Sequence, residues 1–272
     1  MLGELPDYTV TRCEDGVWSQ VALEELLVHN QSSTGNRLVI YVHGNWMTHP
    51  NARARARIVF KWVTRYAREP VTFVAFSWPS EKRQGFARDV YAKKTRTETD
   101  AFYLGELIQN LHSDLPTGLL GFSFGGRIVC GTLHLLGGGK LAGRCLPTAE
   151  HQTRYRLSLY APAFDRTALT PQGQYHCALE NVDRTVNLYN SSDPILRRFK
   201  YIDTSSKPIA AGFAGIVAMP FRGNSETGQG NPLSSSGGIV QYDCRSIGRS
   251  HFELDYYSCS AMPIALKNVL GQ

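Results

Sequence analysis

A serine between glycines, in Gly121-Phe122-Ser123-Phe124-Gly125-Gly126, follows the apolar pair Leu119-Leu120 and precedes a helix-like stretch at 125–136. A nucleophilic serine needs that order of elements. On a sharp strand-to-helix turn the serine adopts strained backbone angles, flanking glycines let strand and helix approach closely, and Oγ is lifted clear of the sheet. The turn also sets Oγ near a helix N-terminus, where partial positive charge favours a developing oxyanion. Taken alone, G-x-S-x-G equally describes a tight glycine turn with an inert serine. A dinucleotide-binding loop is a poorer reading, because G-x-G-x-x-G is not matched.

A nucleophilic serine requires a base to take its proton and an acid to orient that base. Both are expected later in the chain, beyond the ends of following strands. His251 comes a short loop after the run Ile239-Val240-Gln241-Tyr242-Asp243-Cys244 and before a helix-like stretch, and its near-neutral reference pKa suits a base. Of the other histidines, His29 and His49 precede Ser123, His112 and His134 lie in helical patterns, and His151 and His176 fall in other connections. Asp193 stands just past the strand-like Thr185-Val186-Asn187-Leu188-Tyr189. Asp165 is the competing acid, one strand end earlier, and its alternative role is to cap a turn.

A second apolar strand, Leu38-Val39-Ile40-Tyr41-Val42, runs into His43-Gly44-Asn45-Trp46 about eighty residues before Ser123. The loop after such a strand supplies one of two backbone donors to a tetrahedral oxyanion. The backbone N–H of Asn45 and that of Phe124 are the candidate oxyanion hole. His43 reads as a residue that ties this loop down. Trp46 and Trp78 lie beyond strand ends on the same side and either line a substrate pocket or pack in the core.

These residues have to be carried by a scaffold. Short β-branched and aromatic runs at 8–13, 17–22, 37–42, 71–77, 118–122, 156–160, 185–189 and 238–244 alternate with helix-like stretches at 51–66, 97–112, 125–136, 175–182, 194–201 and 252–268. That alternation predicts an α/β fold with a mainly parallel central sheet of about eight strands and helices on both faces. Its length suits a single domain spanning 1–272. Residues 140–155 and 204–237 read as long surface loops; Phe213, Met219 and Phe221 in the second either cover the pocket or belong to a free excursion.

Composition excludes several classes. No segment approaches the roughly eighteen uninterrupted apolar residues of a membrane helix, and the start of the chain has neither a basic end nor an apolar stretch, so an integral membrane protein and a secreted one are not expected. The six cysteines show no C-x-x-C pairing, which predicts thiols in a reducing, cytoplasmic compartment and neither a zinc site nor a disulfide scaffold. The formal charge of +6 is mild. Arg53 and Arg57 share one helix face while Arg55 points away, a solvated pattern rather than a nucleic-acid stripe.

Together, the elbow, the His-Gly-Asn loop, Asp193 and His251 resemble the α/β-hydrolase superfamily across nearly the whole chain. Phe76-Ser77-Trp78-Pro79-Ser80 and Gly121-Phe122-Ser123-Phe124-Gly125-Gly126-Arg127 are most similar to its poorly characterised branches of unknown function. The resemblance implies a triad of Ser123, Asp193 and His251 and an oxyanion hole at Asn45 and Phe124. It does not imply a substrate. Many members insert a helical cap before the acid-bearing strand; residues 161–184 leave room for little or no cap. The expected activity is hydrolysis of a small carboxylic ester or related acyl compound through an acyl-serine, with no metal and no organic cofactor. Acyl transfer through the same residues, or a binding or scaffold protein that has lost turnover, are the alternatives.

Overall fold

The computed structural model describes residues 8–32, 37–83, 85–111, 117–147, 153–201, 207–217 and 238–272. Asp15-Gly16, at φ 48° and 85°, turns the chain between β1 (Val10–Glu14) and β2 (Val17–Val21) into an antiparallel hairpin. Two consecutive positive φ angles are what a two-residue hairpin turn with the right twist demands, and Asp-Gly provides them cheaply. Helix α1 (Leu23–Ser32) follows. The sequence reading missed it.

Six further strands form one wholly parallel sheet: β3 (Arg37–Val42), β4 (Val71–Phe76), β5 (Thr117–Phe122), β6 (Tyr155–Tyr160), β7 (Val182–Tyr189) and β8 (Gly238–Asp243), in the order β4-β3-β5-β6-β7-β8. The fold class is as expected, but among the described residues the sheet has six strands rather than about eight. The reason is polarity. Arg12, Glu14, Ser19 and Gln20 make β1 and β2 unfit for burial on two faces, and among the described residues these strands pair with each other and not with the large sheet. At the centre, every residue of β5 is buried, and β3 is buried from Leu38 onward.

The helices fall on both faces. After β3 the chain crosses through α2 (His49–Tyr66) to β4 on one side, then returns through α3 (Phe86–Asn110) to β5 on the other and continues through α4 (Phe124–Leu136) to β6. Right-handed crossovers in opposite directions put α2 on one face and α3 with α4 on the other. The last helix, α6 (Met262–Val269), packs on β6, β7 and α2. Because the direction of winding reverses at β3, the crevice beyond the C-terminal ends of β3 and β5 is a topological switch point, where open α/β sheets place their ligands.

Several expected helices differ. Helix α3 begins at Phe86, well before 97; the charged residues at 88, 89, 93, 94 and 96 interrupt the apolar periodicity that would have marked its first turns. Residues 175–182 are hydrogen-bonded turns running into β7, and 194–201 gives a 3-10 turn at Leu196–Tyr201. The 252–268 stretch breaks into a 3-10 turn at Glu253–Ser258 and then α6, with Pro263 in its first turn, where a missing N–H is harmless. Between β6 and β7 there are turns and no helix, hence no cap there among the described residues. Of the second long loop, 207–217 is described and holds the short α5 (Ala211–Ala214), with Phe213 packed on the core. Met219 and Phe221 lie outside the described residues.

Cys244, at the end of β8, and Cys259 form a disulfide with Cα atoms 5.8 Å apart, which corrects the expectation of thiols for these two. Nothing in their spacing of 15 residues announces it. The arginines of α2 also divide: Arg53 stacks over Trp18 of the hairpin, whereas Arg55 turns to a buried carboxylate. No described helix is long and apolar enough to cross a membrane.

The seat of α4 is tight. A Cβ on Gly125 would lie 2.1 Å from the carbonyl oxygen of Val42 and 2.7 Å from that of His43, both fixed main-chain atoms. Gly125→Ala is therefore expected to push α4 off the end of β3 and to destabilise the fold by about 3 kcal/mol or more, at the upper end of overpacking costs. Urea denaturation checks this; a midpoint within error of wild type would contradict such close packing.

Candidate active site

Ser123 stands between β5 and α4 at φ 51° and ψ −116°. Three main-chain hydrogen bonds hold it there: its N–H donates to Tyr160 O at 3.1 Å, and its carbonyl accepts from Gly126 at 3.0 Å and Ala163 at 3.1 Å. A bulky residue at positive φ is costly, and such strain persists only where surrounding structure over-determines it. Here the turn must swing Oγ outward over the end of the sheet.

That Oγ lies 3.0 Å from Nε2 of His251, and Nδ1 of the same ring is 2.6 Å from Oδ2 of Asp193. The chain Ser123, His251, Asp193 is thus hydrogen-bonded end to end. The three come from the C-terminal ends of β5, β8 and β7. Asp193 is fully buried; its other oxygen, Oδ1, accepts the amides of Ile195 at 2.8 Å and Leu196 at 3.0 Å. These bonds aim the carboxylate at Nδ1, so the proton of the imidazole sits there and Nε2 faces Ser123 as an acceptor. Asp165 takes the other role: its Oδ1 accepts from the N–H and hydroxyl of Thr167, capping a turn.

The loop bearing His251 is secured from both sides. Asn190, fully buried, donates to the carbonyls of Gly248 at 2.9 Å and Ser250 at 3.1 Å. On the far side Glu253, two residues beyond His251 and buried, accepts the hydroxyls of Tyr41 and Tyr160 at 2.6 Å each on Oε1 and pairs with Arg55 at 2.5 Å through Oε2. Burial first, and the Glu253 charge second, raise both tyrosines well above their usual range, so they remain donors. The disulfide closes the same loop, since His251 lies between Cys244 and Cys259. Sequence reading missed Glu253 and Asn190 altogether.

The second candidate donor also comes close. A Cβ on Gly44 would lie 2.7 Å from the Phe122 ring and 3.3 Å from Cβ of Ser123, so only glycine lets this loop pack against the serine. Next to it, the amide of Asn45 donates to no backbone carbonyl among the described residues; that of Phe124, the first residue of α4, has no partner within its helix. The two amides thus belong to the segments that meet at Ser123, Asn45 directly after Gly44 and Phe124 at the start of α4. His43 does tie the loop down: its ring reaches Gly44 O at 2.8 Å and Ser77 Oγ at 3.2 Å.

Trp78 corrects the pocket expectation. It is buried, donates its indole N–H to His43 O at 2.9 Å, and stacks between His43 and Phe124. Its flat ring is a packing wedge under the site. Trp46, by contrast, keeps 37% of its surface exposed and follows directly on Asn45.

One group of described residues has metal-ligating chemistry: His134, His176 and Cys177 bring ligand atoms within 4.8 Å. It lies at the other end of α4 from Ser123. Both ring nitrogens of His134 already face main-chain groups, the Cys177 amide at 3.2 Å and the Lys140 carbonyl at 3.3 Å.

A family model described as an alpha/beta hydrolase of unknown function (DUF900) matches residues 19–195. Among curated proteins nothing matches. Among solved structures, the chain is similar to esterase B from Lactobacillus rhamnosis, in a crystal structure with a tributyrin phosphonate inhibitor. The identity is 10%, the match covers 88% of this chain and 78% of that one, and the TM-score is 0.37.

The environment of His43 makes a prediction. Burial lowers its pKa from 6.5 to about 4, so the ring is neutral in the native state at neutral pH while the unfolded chain would protonate it below 6.5. The native state thus binds fewer protons, and the contribution of about 3 kcal/mol is present above pH 6.5 and lost as pH falls toward 4. In NMR titration, the His43 ring should show no protonation step above about pH 5. A midpoint near 6.5 would show that the ring is solvated and not the anchor of this loop.

Proposed function

We propose, from the premise that the chain belongs to the α/β-hydrolase family of unknown function matched over residues 19–195, that it is a serine hydrolase acting on a carboxylic ester or related small acyl substrate. The observation that carries this reading is the unbroken pair of hydrogen bonds from Ser123 Oγ to His251 and from His251 to the buried Asp193, at 3.0 and 2.6 Å. A structural serine needs neither partner.

In this reading His251 Nε2 takes the Ser123 proton as Oγ attacks the substrate carbonyl carbon. The carbonyl π electrons move onto oxygen, and the resulting oxyanion accepts hydrogen bonds from the amides of Asn45 and Phe124. Such preorganised donors are worth about 3–4 kcal/mol each in the transition state. Collapse of the intermediate breaks the C–O bond to the leaving group, which takes the proton from His251 and departs as alcohol. Water then enters, His251 removes its proton, and the same sequence releases the carboxylic acid and restores Ser123. Throughout, the Asp193 carboxylate holds Nδ1–H and stabilises the imidazolium; Ile195 and Leu196 keep that carboxylate in place. These steps use side chains and main-chain amides of this chain alone.

Hydrolysis of p-nitrophenyl acetate, butyrate and octanoate tests the reading and sizes the acyl pocket. Ser123→Ala should reduce kcat/KM by at least about 10⁴-fold, as removal of a triad nucleophile does elsewhere. Wild-type turnover that survives in Ser123→Ala would place the chemistry on other residues.

A further inference from the structure

The loop that carries Asn45 is held by a buried ion pair that the reaction itself does not touch. Asp89 and Lys93, one turn apart near the start of α3, are both buried and pair at 2.6 Å. Asp89 Oδ2 also accepts the indole N–H of Trp46 at 2.7 Å, and Oδ1 accepts the amide of Arg83 at 3.0 Å. Lys93 Nζ donates to the carbonyls of Ser80 and Glu81, each at 2.7 Å. Ser80, fully buried, closes the circuit. Its carbonyl accepts the Trp46 amide at 2.9 Å, and its hydroxyl accepts the Met47 amide at 3.0 Å and donates to the Met47 carbonyl at 3.1 Å.

The two residues after Asn45 are therefore pinned at both backbone and side chain, while Gly44 before it rests on Phe122 and Ser123. Trp46 is held at φ 60°, a conformation unfavourable for a bulky residue, and Lys82 covers its ring. An ion pair taken out of water gains little stability over apolar side chains of the same volume, so folding alone does not account for one here. What the pair adds is direction: fixed donors and acceptors that allow the Trp46 indole and the Ser80 carbonyl one placement. Burial by itself would raise the Asp89 carboxyl, but the bonds from Lys93, Arg83 and Trp46 hold it down at about 2. It stays charged throughout the working range of a histidine base.

We propose that Asp89 and Lys93 are positioning residues for the oxyanion loop, acting through Trp46 and Ser80 to set the Asn45 N–H against the carbonyl oxygen that Ser123 attacks. The proposal rests on the serine-hydrolase reading above. Neither residue touches substrate; a fault in either displaces a donor that matters in the transition state more than in the bound ground state.

Trp46→Phe, Asp89→Asn and the double variant test it, with kcat and KM on p-nitrophenyl butyrate, the Ki of an aryl trifluoromethyl ketone whose serine adduct carries an oxyanion, and Tm. Trp46→Phe removes one hydrogen bond and leaves the ion pair whole. It should lower kcat about tenfold, less than outright loss of an oxyanion donor, with KM within about twofold, and raise the ketone Ki by the same factor as kcat/KM falls. Asp89→Asn should lose more, because one amide oxygen replaces a charged carboxylate that serves Lys93, Arg83 and Trp46, and the double variant should lose less than the product of the two single losses, because both changes weaken the contact between positions 46 and 89. A folded Trp46→Phe with wild-type kcat, or one altered only in KM, overturns the positioning role and leaves Trp46 as a pocket wall. Should Asp89→Asn fail to fold, Trp46→Phe decides alone. A wild type that neither hydrolyses ester nor binds the ketone sinks the functional reading and this proposal together, whereas an active wild type with an unaltered Trp46→Phe sinks only this one.

Discussion

Ser123 occupies a backbone conformation that costs roughly 1–3 kcal/mol for a residue with a side chain, and much of the molecule serves to keep it there. The strain is held from three directions. The ends of β5 and β6 bond to one another across Ser123 and Tyr160, the turn after β6 sends the Ala163 amide back to the Ser123 carbonyl, and Gly125 lets α4 sit directly on the carbonyls that end β3. Relaxing the serine would require moving the helix, and the helix cannot move without breaking the sheet.

The other site residues are placed by the same sheet but supported by different means. Asp193 and His251 come from the two strands at one edge, and a buried hydrogen-bond network has to hold their loops in register with Ser123. Asn190 fastens the His251 loop to the end of β7, and Glu253 fastens it to β3, β6 and α2 through Tyr41, Tyr160 and Arg55. On the other side of the serine, Asp89, Lys93 and Ser80 fasten the loop after β3 to the start of α3. Two buried carboxylates, each satisfied by several donors, thus flank the site, one beside the His251 loop and one beside the Asn45 loop. Such networks are rigid only when fully satisfied, and both Asp89 and Glu253 are.

What could be read from residues alone follows the range of the interactions. The elbow is contiguous, and its glycines and serine announce themselves because turn, strain and helix start lie within six residues. Asp193 and His251 could be placed because a parallel sheet delivers its strand ends to one edge in chain order. Glu253 could not: its partners are 93, 198 and 212 residues away, and a lone glutamate two positions after a histidine looks like any solvated side chain. Asp89 and Lys93 were hidden because the apolar residues at the helix start, Phe86, Val90 and Tyr91, are interrupted by Lys93 and Lys94 before a stripe is established. The hairpin strands were legible as strands, but their membership of the sheet was not, since pairing is decided by burial rather than by propensity. Trp78 illustrates the remaining limit: an aromatic beyond a strand end suits a pocket or a core equally, and only its bond to the His43 carbonyl separates the two.

The central claim is that Ser123 is an activated nucleophile. The most direct measurement is peptide mapping by mass spectrometry after the folded protein is exposed to a small fluorophosphonate. The geometry predicts one adduct, on the Oγ of Ser123. An intact, unmodified Ser123 in folded protein, or an adduct carried by some other residue, would contradict it.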